Sequence, residues 1–238
     1  MKRKKEKAVL FSSFLLLAFI GNFGLAFAST EGQLQKQLKQ DPNFYSEENL
    51  KGVETLQQNV DNYLQANPTA TTSGGRKLNV TMYQQDNDYY CGPACVQMVT
   101  YYGGFRLYKQ STLANYMGTN RADGTIVANM TKGINKYWTA GNYRHVTTSQ
   151  KAFSSGLVYS IDKGRPVVCH VMTRALPLYD ENHNYGHYVV ATGYDSGLKR
   201  VYYADPNWRS EFYGAHYSTW AAMNIAINNN AGYYIMAE

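Results

Sequence analysis

The sequence predicts an α+β fold, with helices in the N-terminal half and strands in the C-terminal half. Two observations predict it. Helical periodicity dominates the first part of the chain, with apolar residues at three- and four-residue steps. Short β-rich runs dominate residues 166–236, so helices and strands are segregated rather than alternating as in a doubly wound sheet. At 238 residues and 44% hydrophobic, the chain is long and apolar enough for a real core, which excludes a disordered tail. Three cysteines are too few for a disulfide-stapled miniprotein.

The first element is a leader. Lys2, Arg3, Lys4, Lys5 and Lys7 precede an apolar run from Ala8 to Ile20, and small residues stand at Ala26 and Ala28. A cationic start, an apolar middle and an Ala-x-Ala site read as a secretory signal peptide over residues 1–28, cleaved after Ala28. No later segment is apolar and long enough to span a bilayer, and no cysteine follows the apolar run to carry a lipid. The mature chain is therefore expected to be secreted, with no membrane partner once the leader is cut.

Residues 29–68 are rich in Gln, Asn and Glu. Ser46, Glu47 and Glu48 read as a helix start, a hydroxyl cap followed by acids at the positive end of the dipole. Leu50, Val53, Leu56, Val60 and Leu64 then form one stripe, stopped by Asn67-Pro68. This segment reads either as a helical prosegment covering a cleft or as a solvated spacer. Residues 69–77, which begin Thr-Ala-Thr-Thr-Ser-Gly-Gly, read as a flexible linker to a domain over 78–238.

Within that domain, Leu78 to Tyr83 reads as a short strand. Cys91 to Tyr102 reads as a helix ended by Gly103-Gly104. Thr112 to Met117 and Ile126 to Tyr137 are further helices, Tyr143 to Thr148 a strand, and residues 151–163 a helix. Pro166 to Met172, Tyr188 to Gly193 and Arg200 to Ala204 are strands, the last two joined by an Asp195-Ser-Gly-Leu turn. Tyr217 to Ile227 reads as a helix and Gly232 to Met236 as a closing strand.

The chemistry is concentrated in two places. In Gln85-Asp-Asn-Asp-Tyr-Tyr-Cys91-Gly-Pro-Ala-Cys95, Cys91 falls where a loop becomes a helix, and free amide N–H groups there stabilise a thiolate. Gly92 permits close approach and Pro93 is tolerated in a first turn. Asp86 and Asp88 would raise a neighbouring thiol pKa, so this reading requires both to face solvent. Cys95 shares a face with Met98 and Val99 and reads as a core residue. With Cys169 it forms either a disulfide or two free buried thiols. His187 opens an apolar strand, and Asp205 ends the next one. If those strands pair, Asp205 reaches His187 and completes a Cys–His–Asp set. His183 and His187 are four apart but precede a strand, so they do not read as a metal pair, and nothing calls for a cofactor.

These segments resemble the papain-like superfamily, and most of all the bacteriocin-leader-processing peptidases and their stand-alone relatives. The resemblance rests on Gln85, Cys91-Gly-Pro-Ala94, Gly186-His-Tyr-Val-Val190 and Asp205-Pro206, in order, with Asp123-Gly-Thr125 and Arg165-Pro-Val-Val168 as further landmarks. It implies a papain-like fold, with the nucleophile helix of the N-terminal helical half packed on a C-terminal antiparallel sheet or half-barrel, and a cysteine peptidase acting on a peptide or protein. Cys91 would be the nucleophile, His187 the general base, Asp205 its orienting acid, and Gln85 a side-chain donor of the oxyanion hole. A cell-wall peptide amidase using the same triad, or a non-catalytic binding or effector module on a degenerate papain fold, are the alternatives.

The net charge of +6 divides unevenly. The leader holds +4, residues 29–75 hold −3 and residues 76–238 hold +5. Much of the basicity is thus an export signal, which argues against nucleic-acid binding. The opposite signs of the two mature segments suggest docking. None of the 22 tyrosines lies in the leader, whereas five of the nine phenylalanines do. The mature chain therefore prefers aromatic rings with a wet edge.

Overall fold

The computed structural model describes residues 27–238; the basic and apolar parts of the leader lie outside the described residues. Residues 33–238 form one compact unit. Helix α1 (Phe27–Gln40) leads into it.

Helix α2 (Glu47–Ala66) starts as its sequence dictates: Ser46 accepts from the Asn49 N–H and two acids occupy the first turn. Val53, Leu56 and Val60 are buried among Leu157 and Ile161 of helix α6 (Phe153–Asp162). Leu50, at the outer end of the expected stripe, stays exposed. Residues 69–77 fold tightly. The Ser73 and Gly74 N–H groups donate to the Thr69 carbonyl at 2.9 and 2.8 Å, and strand β1 (Gly75–Lys77) follows.

Helices α3 (Cys91–Gly104), α4 (Gln110–Met117) and α5 (Val127–Tyr137) come next. Then strand β2 (Tyr143–Thr147), helix α6, and strands β3 (Val167–Met172), β4 (Gly186–Asp195), β5 (Arg200–Asp205) and β6 (Gly214–Thr219) are followed by helix α7 (Trp220–Asn228) and strand β7 (Tyr233–Ala237). The strands form one antiparallel sheet, order β2-β7-β3-β4-β5-β6, with β1 on the far half of β4.

Helices cover both faces of this sheet, not one. Strand parity sorts the side chains. Val168, Tyr188, Val190 and Ile235 meet Val96, Met98 and Ile134 of the α3–α5 layer. Val167, Cys169, Val189 and Tyr234 meet α2, α6 and Met223 of α7 on the other side. Double coverage explains why the central strands read as continuous apolar runs. Cys95 and Cys169 belong to opposite layers, and all three cysteines are free thiols.

Two elements differ from the sequence reading. Leu78 to Tyr83 is extended but not a strand. The Leu78 N–H donates to the Thr192 carbonyl at 2.7 Å, and beyond it that edge of β4 is already taken by β3. Tyr217 to Ile227 is not one helix. It divides into edge strand β6 and helix α7 at Thr219, whose hydroxyl caps the Ala222 N–H. Gly193 stands at the β4 register shift, and a Cβ there would lie 2.6 Å from the Arg76 carbonyl oxygen, so β1 can dock only against glycine.

Candidate active site

Cys91 is the first residue of α3, and no side chain caps that helix start. Its first-turn N–H groups therefore point outward unpaired by helical bonds. Gly92 has a specific reason: a Cβ there would lie 2.3 Å from Thr125 Oγ1. Thr125 is itself fixed, because its carbonyl accepts from the Tyr188 hydroxyl at 2.7 Å and its hydroxyl bonds Thr119 at 2.8 Å. Asp123-Gly-Thr125 thus braces the start of α3. Gly92→Ala is expected to displace the start of α3, costing about 1–3 kcal/mol by overpacking. Chemical denaturation of the variant would show that loss, together with slower alkylation of Cys91.

His187 sits at the mouth of β4, 3% exposed. The register pairs Val190 with Ala204, which places Asp205 on the same face as Val189 and His187. His187 Nε2 donates to Asp205 Oδ1 at 2.8 Å, which leaves Nδ1 free of that bond, and Cys91 is a neighbour that helps hold the imidazole charged. Burial disfavours the imidazolium, but the Asp205 charge and hydrogen bond, with the Cys91 contact, outweigh it. His187 is raised to about 10. Cys95 and Cys169 are fully buried, and desolvation pushes both thiols up.

Asp205 is fully buried and multiply held. The Tyr179 hydroxyl donates to Oδ2 at 2.7 Å and the Asn207 N–H to Oδ1 at 2.9 Å. Asn207 Nδ2 then donates to the hydroxyls of Tyr179 and Tyr185, at 3.0 and 2.8 Å. Tyr179 stacks on Phe212 at 4.4 Å, which fixes its ring. Two tyrosines from the β3–β4 loop therefore seal the carboxylate from water. That loop carries no regular pattern in sequence, and only the fold reveals it.

Gln85 is buried in the loop before α3. Its N–H donates to the Pro206 carbonyl at 2.7 Å, tying it to the residue after Asp205. One of its side-chain hydrogens goes to the Asn87 carbonyl at 2.6 Å, while Oε1 is buried without a partner. The other amide hydrogen is the donor open to a ligand. Gln110 clamps the loop on either side of Gln85. Its Nε2 donates to the Gln84 carbonyl at 2.8 Å and its Oε1 accepts from the Asp86 N–H at 2.9 Å. Buried Gln97 supports Gln110 through a 3.0 Å bond. Asp86 and Asp88 are exposed, and Asp88 pairs with Arg121 at 2.8 Å. His170, one face away, stacks on Tyr188 and is driven down to about 3 by burial, so it stays neutral.

A thiol at a helix start, beside an imidazole that is hydrogen-bonded to a buried carboxylate, makes a Cys–His–Asp site on an α+β scaffold. The chain belongs to the Peptidase_C39 like family, whose profile matches residues 77–227. The peptidase domain of Streptococcus ComA, described as a bi-functional ABC transporter involved in a quorum-sensing pathway, is a similar solved structure. Its identity is 19% over 67% of this chain and 100% of that one, with a TM-score of 0.48. Bromelain from Ananas comosus in complex with the E64 inhibitor is another, at 15% identity over 69% and 99%, with a TM-score of 0.44. No curated protein matches the sequence. Helices α1 and α2 and nearly all of β1 precede the matched residues.

Proposed function

We propose that the chain is an exported thiol hydrolase that cleaves peptide bonds through an acyl-enzyme on Cys91. The observation that carries this reading is the Cys91–His187–Asp205 line at the start of α3 in a member of a peptidase family. His187, raised to about 10, begins as an imidazolium beside the Cys91 thiolate. The sulfur attacks the carbonyl carbon, and the developing oxyanion accepts from the Cys91 N–H and the Gln85 amide. The C–N bond breaks as His187 gives its Nδ1 proton to the leaving amine. Water then attacks the thioester, its proton passes to His187, and Cys91 leaves as thiolate. Asp205 holds the ring and its charge throughout, and every proton in the cycle is accounted for by these groups.

Export through the residue 1–28 leader, with cleavage after Ala28, belongs to the same proposal. So does retention of residues 29–77 as part of the working enzyme. Its support is the burial of Val53, Leu56 and Val60 and the pairing of β1 with β4. Opposite charges also meet there where Asp61 pairs with Lys151, and His145 Nε2 donates a hydrogen bond to Asp41 at 2.9 Å.

Incubation of the leader-processed chain with an unstructured protein such as reduced casein tests the reaction. Mass spectrometry should reveal new termini that Cys91→Ala does not produce. Equal cleavage by the variant, or none from a pooled peptide library, would reject it.

A further inference from the structure

The excess of positive charge has no part in the thiol site, and it is concentrated on the helical side. Residues 91–161 contain seven Lys or Arg and a single acid, Asp123. Asp123 is engaged by Lys39, while Arg121, Arg144 and Lys151 are paired with Asp88, Glu238 and Asp61. Arg106, Lys109 and Lys136 are exposed and make no ion pair among the described residues.

Arg106 and Lys109 lie in the α3–α4 turn, which presents apolar side chains to water. Phe105 caps α3 at φ 53°, a left-handed position that normally selects glycine, and its side chain is 81% exposed. Leu107, two residues on, is 57% exposed. Tyrosines surround this apex. Tyr101 meets Phe105 edge-on at 6.3 Å, and Tyr137 packs with Tyr108 at 4.5 Å and Tyr116 at 5.5 Å. The Arg106 guanidinium lies 5.0 Å above the Tyr108 ring.

We propose that this turn is a contact for an anionic membrane surface. Phe105 and Leu107 enter the boundary between headgroups and acyl chains. The tyrosines sit at headgroup depth with their hydroxyls wet, and Arg106, Lys109 and Lys136 face lipid phosphates. A protein partner is disfavoured because an apex of two apolar residues falls far short of the ~800 Å² per side of a stable interface. A soluble polyanion would use the cations yet leave Phe105 and Leu107 in water. This replaces the sequence-based expectation that the mature chain has no membrane partner: it touches a bilayer without spanning it. Cys91 is at the other end of α3, about 20 Å away at 1.5 Å per residue, so the thiol site stays clear of the surface. The proposal does not depend on the peptidase reading.

Flotation of the leader-processed chain with phosphatidylcholine vesicles, with or without about a third phosphatidylglycerol, tests it. Binding is expected on the anionic vesicles only and should weaken as salt rises. F105S with L107S should lower partitioning about 100-fold, roughly tenfold per side chain withdrawn from the boundary. Arg106→Gln and Lys109→Gln should each cost about fivefold. Alkylation of Cys91 should be unchanged in all of them, which shows that the variants fold. Absence of binding to anionic vesicles, or full binding by the F105S/L107S chain, would overturn the proposal. Retention on a soluble polyphosphate resin unaffected by F105S/L107S, without vesicle binding, would do the same and reassign the face to a soluble polyanion.

Discussion

Asp205→Ala is expected to lower kcat/KM for peptide cleavage about a thousandfold while leaving the fold intact. The magnitude follows from what the carboxylate does for His187. It fixes the ring through the 2.8 Å bond to Nε2 and supplies the charge that offsets burial. Removing a triad acid typically costs on the order of 10⁴ in turnover when the tautomer is lost. Without Asp205, desolvation is the strongest influence left on His187, and its pKa falls from about 10 toward and below the ordinary value. The basic limb of the pH–rate profile should move down with it. Asp205→Asn keeps an acceptor but not the charge. It should lose at least as much activity, because its amide favours the wrong tautomer, and show the same downward shift of the limb. A variant that lost activity with an unmoved profile would separate Asp205 from the charge state of His187.

Excision of residues 29–77 is expected to abolish cooperative folding rather than release an activated enzyme. Val53, Leu56 and Val60 are each about 2% exposed or less. Burying a side chain of this kind contributes about 1.5–3 kcal/mol, so their loss removes about 5–9 kcal/mol. That is comparable to the whole stability of an ordinary domain, about 5–15 kcal/mol. The cut also strips β1 from β4 and removes Asp41 from buried His145. Thermal unfolding followed by circular dichroism checks this. A fragment beginning at Leu78 that unfolds cooperatively and keeps Cys91 reactive would instead support a removable prosegment.

Much of the fold was legible because helix and strand periods are local. Helix α2 was marked by Ser46, two acids and a stripe, and α3 by its nucleophile loop and terminal glycines. Strand β6 was missed because edge strands are half-exposed and carry little apolar pattern, and Tyr217 and Trp220 blurred into the helix that follows. Only the fold shows that helices cover both sheet faces, since a doubly buried strand reads the same whichever elements cover it. At the site, motif order names Cys91, His187 and Asp205 as candidates, and the register places the last two on one face, 2.8 Å apart. Tyr179, Tyr185, Asn207, Gln97 and Gln110 were not readable. Their roles are hydrogen bonds between segments up to 28 residues apart in sequence, and no local pattern encodes such partners.

The most direct test of the central claim is the pH dependence of Cys91 alkylation in the folded, leader-processed chain, mapped by mass spectrometry against Cys95 and Cys169. Cys91 should react readily at neutral pH, and its rate should change near pH 10, where His187 loses its proton. Cys95 and Cys169 should remain unlabelled until the chain unfolds. A Cys91 rate that passes through pH 10 without a break and is unchanged by His187→Ala would contradict the account.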